Sequence, residues 1–419
     1  MSLNKRDLPV VVVGGGVIGA ACAHFLADSG RRVILLEKDR FGEACSAHNC
    51  GYVCPSHVLP LTEPGAVRAA LLGMLRANSP FSVKLRPDLR LAYWFLRFSL
   101  RCNHGDMIEG ARAIQPLLNE SMALYRDLVS KKRLACEWKE QGLLYVYRSK
   151  EKFEAYAETE RLLRESFEEP ASRLESEELV ELEPALKPGL AGAWHYEGDA
   201  HLRSDVLMSA WKESLVGRGV QILEGCSFHQ VEERADGVVR VDCSDGPIEA
   251  SHLVVATGAL TPRLAKSIGW RAPIQPGKGY SLTMPRPAVC PEIPMIFPET
   301  RVAVTPFEAG YRLGSTMEFA GYDESLNPKR LNLLREGAEP YLLEPFCEPV
   351  ETTWFGWRPM TWDGVPIIGS CPGRKRVILA AGHNMLGLSM APSTGKLVSE
   401  LIEGKQPHLD PRPYSPERF

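Results

Sequence analysis

The chain has 419 residues, a formal net charge of −3, 44% hydrophobic residues and 24% charged residues. That length exceeds what one hydrophobic core usually serves, so two domains are expected, and the near-neutral charge gives no basic footprint for nucleic acid. No run approaches the ~18 apolar residues of a membrane span, and eleven scattered cysteines, an odd number, favour reduced thiols over a disulfide framework.

In chain order, MSLNKRDLPVVVVGGG passes into a glycine-rich turn without a small-residue cleavage site, so no secretion signal is expected. Residues 10–13 are four consecutive valines, the pattern of a strand buried on both faces. GGGVIG follows, giving Gly14, Gly16 and Gly19 the G-x-G-x-x-G spacing, with Val17 and Ile18 opening a helix that stops near Gly30. RVILLEK is a second strand ending at Glu37 and Lys38. Gly14 allows a tight turn, Gly16 lets a pyrophosphate approach the backbone, and Gly19 lets helix and strand pack closely. The helix N-terminus offers free N–H groups to phosphates, and Glu37 can accept hydrogen bonds from a ribose diol. These residues define a dinucleotide site without separating FAD from NAD.

Cys45, Cys50 and Cys54 cluster near His48 and His57, but their spacing matches no zinc pattern, so no metal is expected. Residues 64–168 are rich in helix formers, with breaks at 78–80 and Pro87. LAYWFLRFSL (91–100), interleaved with Arg90, Arg97 and Arg101, reads as a core helix of a second domain or as an interfacial membrane helix. Residues 142–148 read as a strand, 150–166 as a charged surface helix, LESEELVELEPAL (174–186) as a capped turn and short helix with Ser176 as N-cap, and 204–216 as an amphipathic helix. A hairpin-like stretch, 220–250, turns at Asp236–Gly237 and Asp245–Gly246, and contributes Val231 to the cofactor site. SHLVVATGA is another buried strand, ending at Gly258. From 274 to 319, strand-like segments alternate with turn residues and predict an antiparallel sheet. The strand at 251–259 and the long C-terminal return to the helix TGKLVSELIEG favour FAD, because flavoproteins distribute the nucleotide domain over the whole chain in this way.

Residues 354–364, WFGWRPMTWDG, hold one arginine among three tryptophans. A guanidinium fork matches a carboxylate in two parallel hydrogen bonds, and flanking aromatics exclude water. The same composition suits a salt bridge from Arg358 to Asp363 with stacking on a tryptophan.

Several motifs together resemble the D-amino-acid dehydrogenase group within the D-amino-acid oxidase and glycine oxidase superfamily of flavin amine oxidoreductases. They are VVVVGGGVIGAACAHFLADSG with VILLEK, CSAHNCG, PGKGYSLTMP, GYRLGSTMEF, WFGWRPMTWDGVPIIG and AAGHNMLGLSMAPSTGKLVSELI. The resemblance implies an α/β fold: a discontinuous Rossmann-type FAD-binding domain (1–62, 170–272 and 352–419) and an α+β substrate domain with an antiparallel sheet (63–169 and 273–351). It implies that Ser46, Asn49 and Gly51 lie in the loop passing the flavin. It also implies that the backbone from Gly382 through His383 and Gly387 to Leu388 faces the pyrimidine end, where N–H groups stabilise negative charge. Arg358 matches the arginine that binds the substrate carboxylate, whereas a further arginine of some relatives is replaced by Met385. Tyr280 and Tyr52 are candidates to project into the pocket. His48 stands near a covalent anchor of some members, but this subgroup holds FAD non-covalently.

The activity implied is oxidation of D-amino acids, with hydride passing from Cα to flavin N5 and hydrolysis of the imino acid to a 2-oxo acid and ammonia. The same frame handles a cyclic or secondary amino acid (D-hydroxyproline, proline, sarcosine) or glycine, and an electron-transfer subunit of a larger complex is the alternative of another class. The acceptor stays open among a quinone, another redox protein and oxygen. Expected partners are a small amino-acid substrate and no nucleic acid, in a cytoplasmic chain for which an oligomer and peripheral contact with the inner face of the cell membrane stay open.

Overall fold

Val10–Val13 forms strand β1 with every residue buried, as four β-branched side chains in a row suit a strand covered on both faces. The computed structural model describes residues 7–68, 81–84, 87–131 and 134–419, so the break expected at 78–80 lies outside the described residues. The main helices are α1 (Val17–Asp28), α2 (Leu89–Arg101), α3 (His104–Ser130), α4 (Lys150–Phe167), α5 (Ser176–Leu182), α6 (Ser204–Gly217), α7 (Pro328–Ala338) and α8 (Gly387–Glu403). None is long and apolar enough to cross a membrane, among the described residues.

Around β1 runs a six-stranded sheet that takes β2 (Val33–Glu37), β9 (Gln221–Glu224), β13 (His252–Val255), β19 (Ile367–Cys371) and β20 (Arg374–Ala381), in the order β19-β20-β13-β1-β2-β9. All pairs are parallel except β19 on β20, with Val12 level with Leu35 and Val254. Helices α1 and α8 cross so closely that a Cβ on Gly395 would come within 2.5 Å of the Ala21 backbone. Helix α3 belongs to the same core.

The second sheet has nine strands. Its path is β18 (Thr352–Thr361), β14 (Ile274–Met284), β17 (Gly310–Phe319), β16 (Val302–Phe307), β15 (Met295–Phe297), β5 (Leu143–Tyr147), β7 (Gly192–Tyr196) and β6 (Ser172–Glu175), with β4 (Phe81–Val83) beside β17. Its central pairs are antiparallel, as the alternation between 274 and 319 predicts. A small sheet of β10 (Phe228–Glu233), β11 (Val239–Cys243) and β12 (Gly246–Ala250), and the pair β3 (Tyr52–Val53) with β8 (Ala200–His201), complete the strands.

This topology shifts the expected boundaries. Residues 172–196 and 352–361, assigned from sequence to the nucleotide domain, supply β6, β7 and β18 to the second sheet, while α3, assigned to the substrate domain, packs on α8. These strands join the sheet by non-local pairing, which local pattern does not reveal. At α5, Ser176 is the first helical residue rather than the cap; Glu175 precedes it, its N–H donating to Glu178 Oε2 at 3.0 Å. Leu91 and Trp94 are buried against Phe319, Met360 and Trp362, while other apolar side chains of α2 are exposed.

Candidate active site

The site lies where the nucleotide sheet meets one face of the second sheet. Gly14 has φ +106, and a Cβ there would lie 2.5 Å from the Ala256 carbonyl oxygen; a side chain on Gly19 would collide with the Gly14 carbonyl. Both positions therefore require glycine, as the fingerprint spacing predicts. The N-cap of α1 is Gly16, with no side-chain cap. Val17 N–H donates to Ser46 Oγ at 2.9 Å. Glu37 is held at the loop by accepting from Gly15 N–H at 2.7 Å and Asp39 N–H at 2.9 Å. Ile18 is buried in the core behind the loop. The Lys38 side chain turns outward to an ion pair with Asp39, so it adds no group to this cradle.

The loop from Cys45 to Tyr52 is pinned from both sides. Asn49 bridges it internally, donating to Ser46 O at 2.7 Å and accepting from Gly51 N–H at 2.8 Å. Gly51 has φ +75, and any side chain there would strike the Leu202 carbonyl. The second sheet holds the loop carbonyls: Ser281 Oγ donates to His48 O (2.8 Å), Thr305 Oγ1 to Cys50 O (2.7 Å) and Arg312 Nη1 to Asn49 O (2.7 Å).

The segment Gly382–Leu388 closes the cradle. Gly382 (φ +76) and Asn384 (φ +51) are both left-handed. Asn384 spends its N–H and its whole side-chain amide: the N–H donates to Pro359 O (3.2 Å), Nδ2 to Gly364 O (2.8 Å) and Gly382 O (3.1 Å), and Oδ1 accepts from Thr361 N–H (3.0 Å). One side chain thus ties the segment to the end of β18. His383 is buried, which lowers its pKa to about 3, and its Nε2 lies 3.0 Å from Thr394 Oγ1. Gly387 opens α8, whose N-terminus also lacks a side-chain cap, leaving N–H groups and a positive dipole end. Leu388 turns its side chain into the core and its carbonyl to the Tyr125 hydroxyl at 3.0 Å. Gly258 (φ +51) follows the end of β13 on the same edge of the sheet.

The second sheet is bare where it faces the loop. Side chains at Gly277, Gly279, Gly314 or Gly356 would run into Met360, the Arg358 guanidinium, Cys50 or Trp354 respectively. Arg358 lies flat across Gly279 because register puts it opposite Gly277, on the same face. Its Nη1 donates to Thr316 O at 2.7 Å, and it pairs with no carboxylate among the described residues. Asp363 instead binds Arg418, Oδ2 to Nε at 2.8 Å, which overturns the Arg358–Asp363 bridge. Thr316 (φ +52) and Ser315 (φ +114) sit in a β-bulge that turns the Thr316 carbonyl to the arginine. Thr316 Oγ1 and His48 Nδ1 are buried without a partner among the described residues. Burial and the Arg312 charge lower the His48 pKa.

Three expected contacts fall elsewhere. Tyr280 is one residue out of phase with Gly279, so it faces the opposite side of β14, 1% exposed, donating to Glu318 Oε2 at 2.6 Å. The Tyr52 hydroxyl lies 2.9 Å from both Met295 O and Val304 O and fastens its loop to the second sheet. Val231 is buried in β10, its carbonyl accepting from Arg374 Nη1 at 3.0 Å, away from the glycine loop. Conversely, Arg312 and Asn384 escaped the sequence reading, although GYRLG and GHN stand within the motifs that carried the resemblance.

The residues present fit FAD: a cradle where Cβ atoms are excluded, two helix N-termini whose N-cap residues supply no capping side chain, a carboxylate fixed at the second strand's end, and buried polar atoms unpartnered among the described residues, His48 Nδ1 on the loop and Thr316 Oγ1 on the facing sheet. That combination defines a flavin-dependent oxidoreductase. The chain belongs to the FAD dependent oxidoreductase family, whose pattern it matches over residues 9–401. It is 31% identical over 412 residues to a D-amino acid dehydrogenase of Granulibacter bethesdensis, covering 96% of this chain and 97% of that one. It is 30% identical over 411 residues to a D-amino acid dehydrogenase of Methylobacterium radiotolerans, with the same coverage of both chains. Among solved structures, glycine oxidase from Geobacillus kaustophilus shares the fold, with a TM-score of 0.80, 24% identity and coverage of 98% of this chain and 99% of that one.

Proposed function

We propose that this enzyme oxidises D-amino acids to 2-oxo acids and ammonia, with Arg358 as the carboxylate anchor. The observation that carries the reading is a guanidinium laid over a glycine floor with a single carbonyl partner and no counter-ion among the described residues. Its unused N–H groups suit two parallel hydrogen bonds to a carboxylate. Bound FAD supplies the two-electron oxidant that takes hydride from Cα. Gly14, Gly16 and Gly19 with Val17, Ile18 and Glu37 would hold its nucleotide half, Ser46, Asn49, Gly51 and Gly258 its middle, and the backbone of 382–388 its ring.

The protein's part in the reaction is orientation more than proton transfer. Arg358 fixes the carboxylate, and Cys45, Cys50, Met317, Met360 and Trp354 wall the substrate side chain. The reacting amine must be neutral. Burial, and then the Arg312 charge, lower the His48 pKa and so disfavour a further cation beside Arg358. N–H groups at the start of α8 would stabilise negative charge on the bound flavin ring. Water then hydrolyses the imine. Electrons leave to a quinone, another redox protein or oxygen, from a cytoplasmic enzyme for which peripheral contact with the cell membrane is part of the proposal.

Anaerobic mixing of the purified holoenzyme with a panel of D-amino acids, their L-enantiomers, glycine, sarcosine and proline tests the assignment. Bleaching of the flavin by primary D-amino acids is expected. Bleaching only by L-amino acids, or only by glycine and secondary amines, contradicts it.

A further inference from the structure

Helix α2 carries a surface that the oxidation chemistry does not use. Leu89, Tyr93, Leu96 and Leu100 are 89%, 52%, 56% and 65% exposed. At 3.6 residues per turn, positions i, i+4, i+7 and i+11 fall within about 60° of one another, so they form a single stripe. Arg90, Arg97 and Arg101 form a second row beside it, about 100° around the helix. The thirteen residues Leu89–Arg101 include no acidic side chain. The remaining face, with Leu91 and Trp94, is buried on Phe319, Met360 and Trp362, and Trp94 Nε1 donates to Pro273 O at 3.2 Å. The other exposed large apolar residues among those described, such as Leu182, Val216, Val289 and Leu343, are scattered over other elements. A contiguous apolar stripe on a helix already committed to the core by its opposite face marks an interaction surface.

The charges identify the occupant. Asp88 serves the helix N-terminus, accepting from Arg90 and Leu91 N–H at 3.1 Å, and Asp106 pairs with Arg101 at 2.8 Å. Arg97 lies over the Trp362 ring at 5.1 Å, and Arg90 is exposed. The stripe is therefore bordered by cations on one side and by no anionic row, which suits a negatively charged partner. A second copy docked face to face would set one arginine row against another.

We propose that this face of α2 docks on an anionic lipid bilayer, its leucines and Tyr93 entering the headgroup–acyl boundary and its arginines meeting lipid phosphates. Apolar insertion and attraction to anionic lipid act together in such a helix. The buried side of α2 rests on Met360 and Trp362, so the strand carrying Arg358 would lie about one helix diameter, ~10 Å, from the membrane surface. The inference deepens the peripheral contact proposed above and is independent of the substrate assignment, since lipid binding can fail while D-amino acids still reduce the enzyme.

The test is co-sedimentation of the full-length holoenzyme with vesicles of equal parts phosphatidylglycerol and phosphatidylcholine, and with phosphatidylcholine alone. Binding to the anionic vesicles alone, weakened by salt, is expected. Arg90→Gln should weaken it roughly fivefold and Leu96→Glu with Leu100→Glu more than about tenfold, while dye-coupled turnover and melting temperature stay at the wild-type values. Failure of the wild type to bind anionic vesicles, equal binding to both vesicle types, or unaltered binding by both variants overturns the proposal. So does a dimer in light scattering that the double variant converts to monomer, which would assign the face to a second copy.

Discussion

Two arginines on the same face of the second sheet have been put to opposite uses. Arg312, 1% exposed, is engaged at all three nitrogens: Nε donates to Thr283 Oγ1 (2.9 Å), Nη1 to Asn49 O (2.7 Å) and Ser204 Oγ (3.1 Å), and Nη2 to Asp205 (3.2 Å). Arg358 makes one bond, to a carbonyl, and keeps part of its surface open. The first region is a clamp, because each guanidinium nitrogen donates to the protein. The second is a receptor, because its donors, Thr316 Oγ1 and His48 Nδ1 remain to be used. Engagement by the protein, more than residue type or burial, separates structure from function here.

The largest effect should come from the clamp. Arg312→Met takes one of two arginine partners from the Asp205 carboxylate, leaves the Asn49 carbonyl only the Ser204 hydroxyl at 3.3 Å, and should cost about 3–5 kcal/mol, with loss of flavin. Arg358→Met should stay within about 1 kcal/mol of wild type, since little is left unpaired. Urea titrations of both variants check the pair, and similar midpoints would abolish the distinction.

The same contrast exists among carboxylates. For Asp205, burial is outweighed by Arg312 and Arg203, which hold its pKa below the usual value. Asp199 is buried with the Ser56 N–H and hydroxyl as donors and no cation, and burial pushes its pKa up to about 7. Folded Asp199 therefore keeps a proton that the unfolded chain, at about 3.9, has released. Its contribution to stability should fall as pH rises from about 4 to 7 and then level off, by roughly 2–4 kcal/mol in total. Asp199→Asn should flatten this slope and be the more stable protein at pH 8. A melting series showing the same slope in both proteins would contradict the assignment.

A smaller effect is expected at Asn384, engaged like Arg312 but on the flavin side. Asn384→Ala should cost about 1–3 kcal/mol and weaken FAD retention roughly tenfold, read by flavin release during dialysis. Smallest of all is Tyr280→Phe, about 1 kcal/mol in stability. A loss of turnover beyond about threefold would return Tyr280 to the pocket.

How far the sequence reached follows the same physics. The glycine fingerprint, the valine strand and the antiparallel segments were legible because each is local: φ, spacing and alternation lie within a few residues. The Arg358 motif was legible as chemistry, but its choice between Asp363 and a ligand was not, since Arg418 arrives from the C-terminus to claim Asp363. Tyr280 was misread because facing direction depends on the register of β14 against β18, and a shift of one residue exchanges the two faces. The partners of Tyr52 and Val231 likewise lie on strands distant in sequence. The engagement of Arg312 involves Asn49, Ser204, Asp205 and Thr283, a set that no local window contains.

The most direct test of the receptor reading is steady-state kinetics of Arg358→Ala with a D-amino acid and a dye acceptor, beside its FAD content. Loss of two charge-assisted hydrogen bonds should raise KM by a factor of about 100 or more while FAD stays bound in wild-type proportion. An unchanged KM would remove Arg358 from the substrate site and end the contrast between the two arginines.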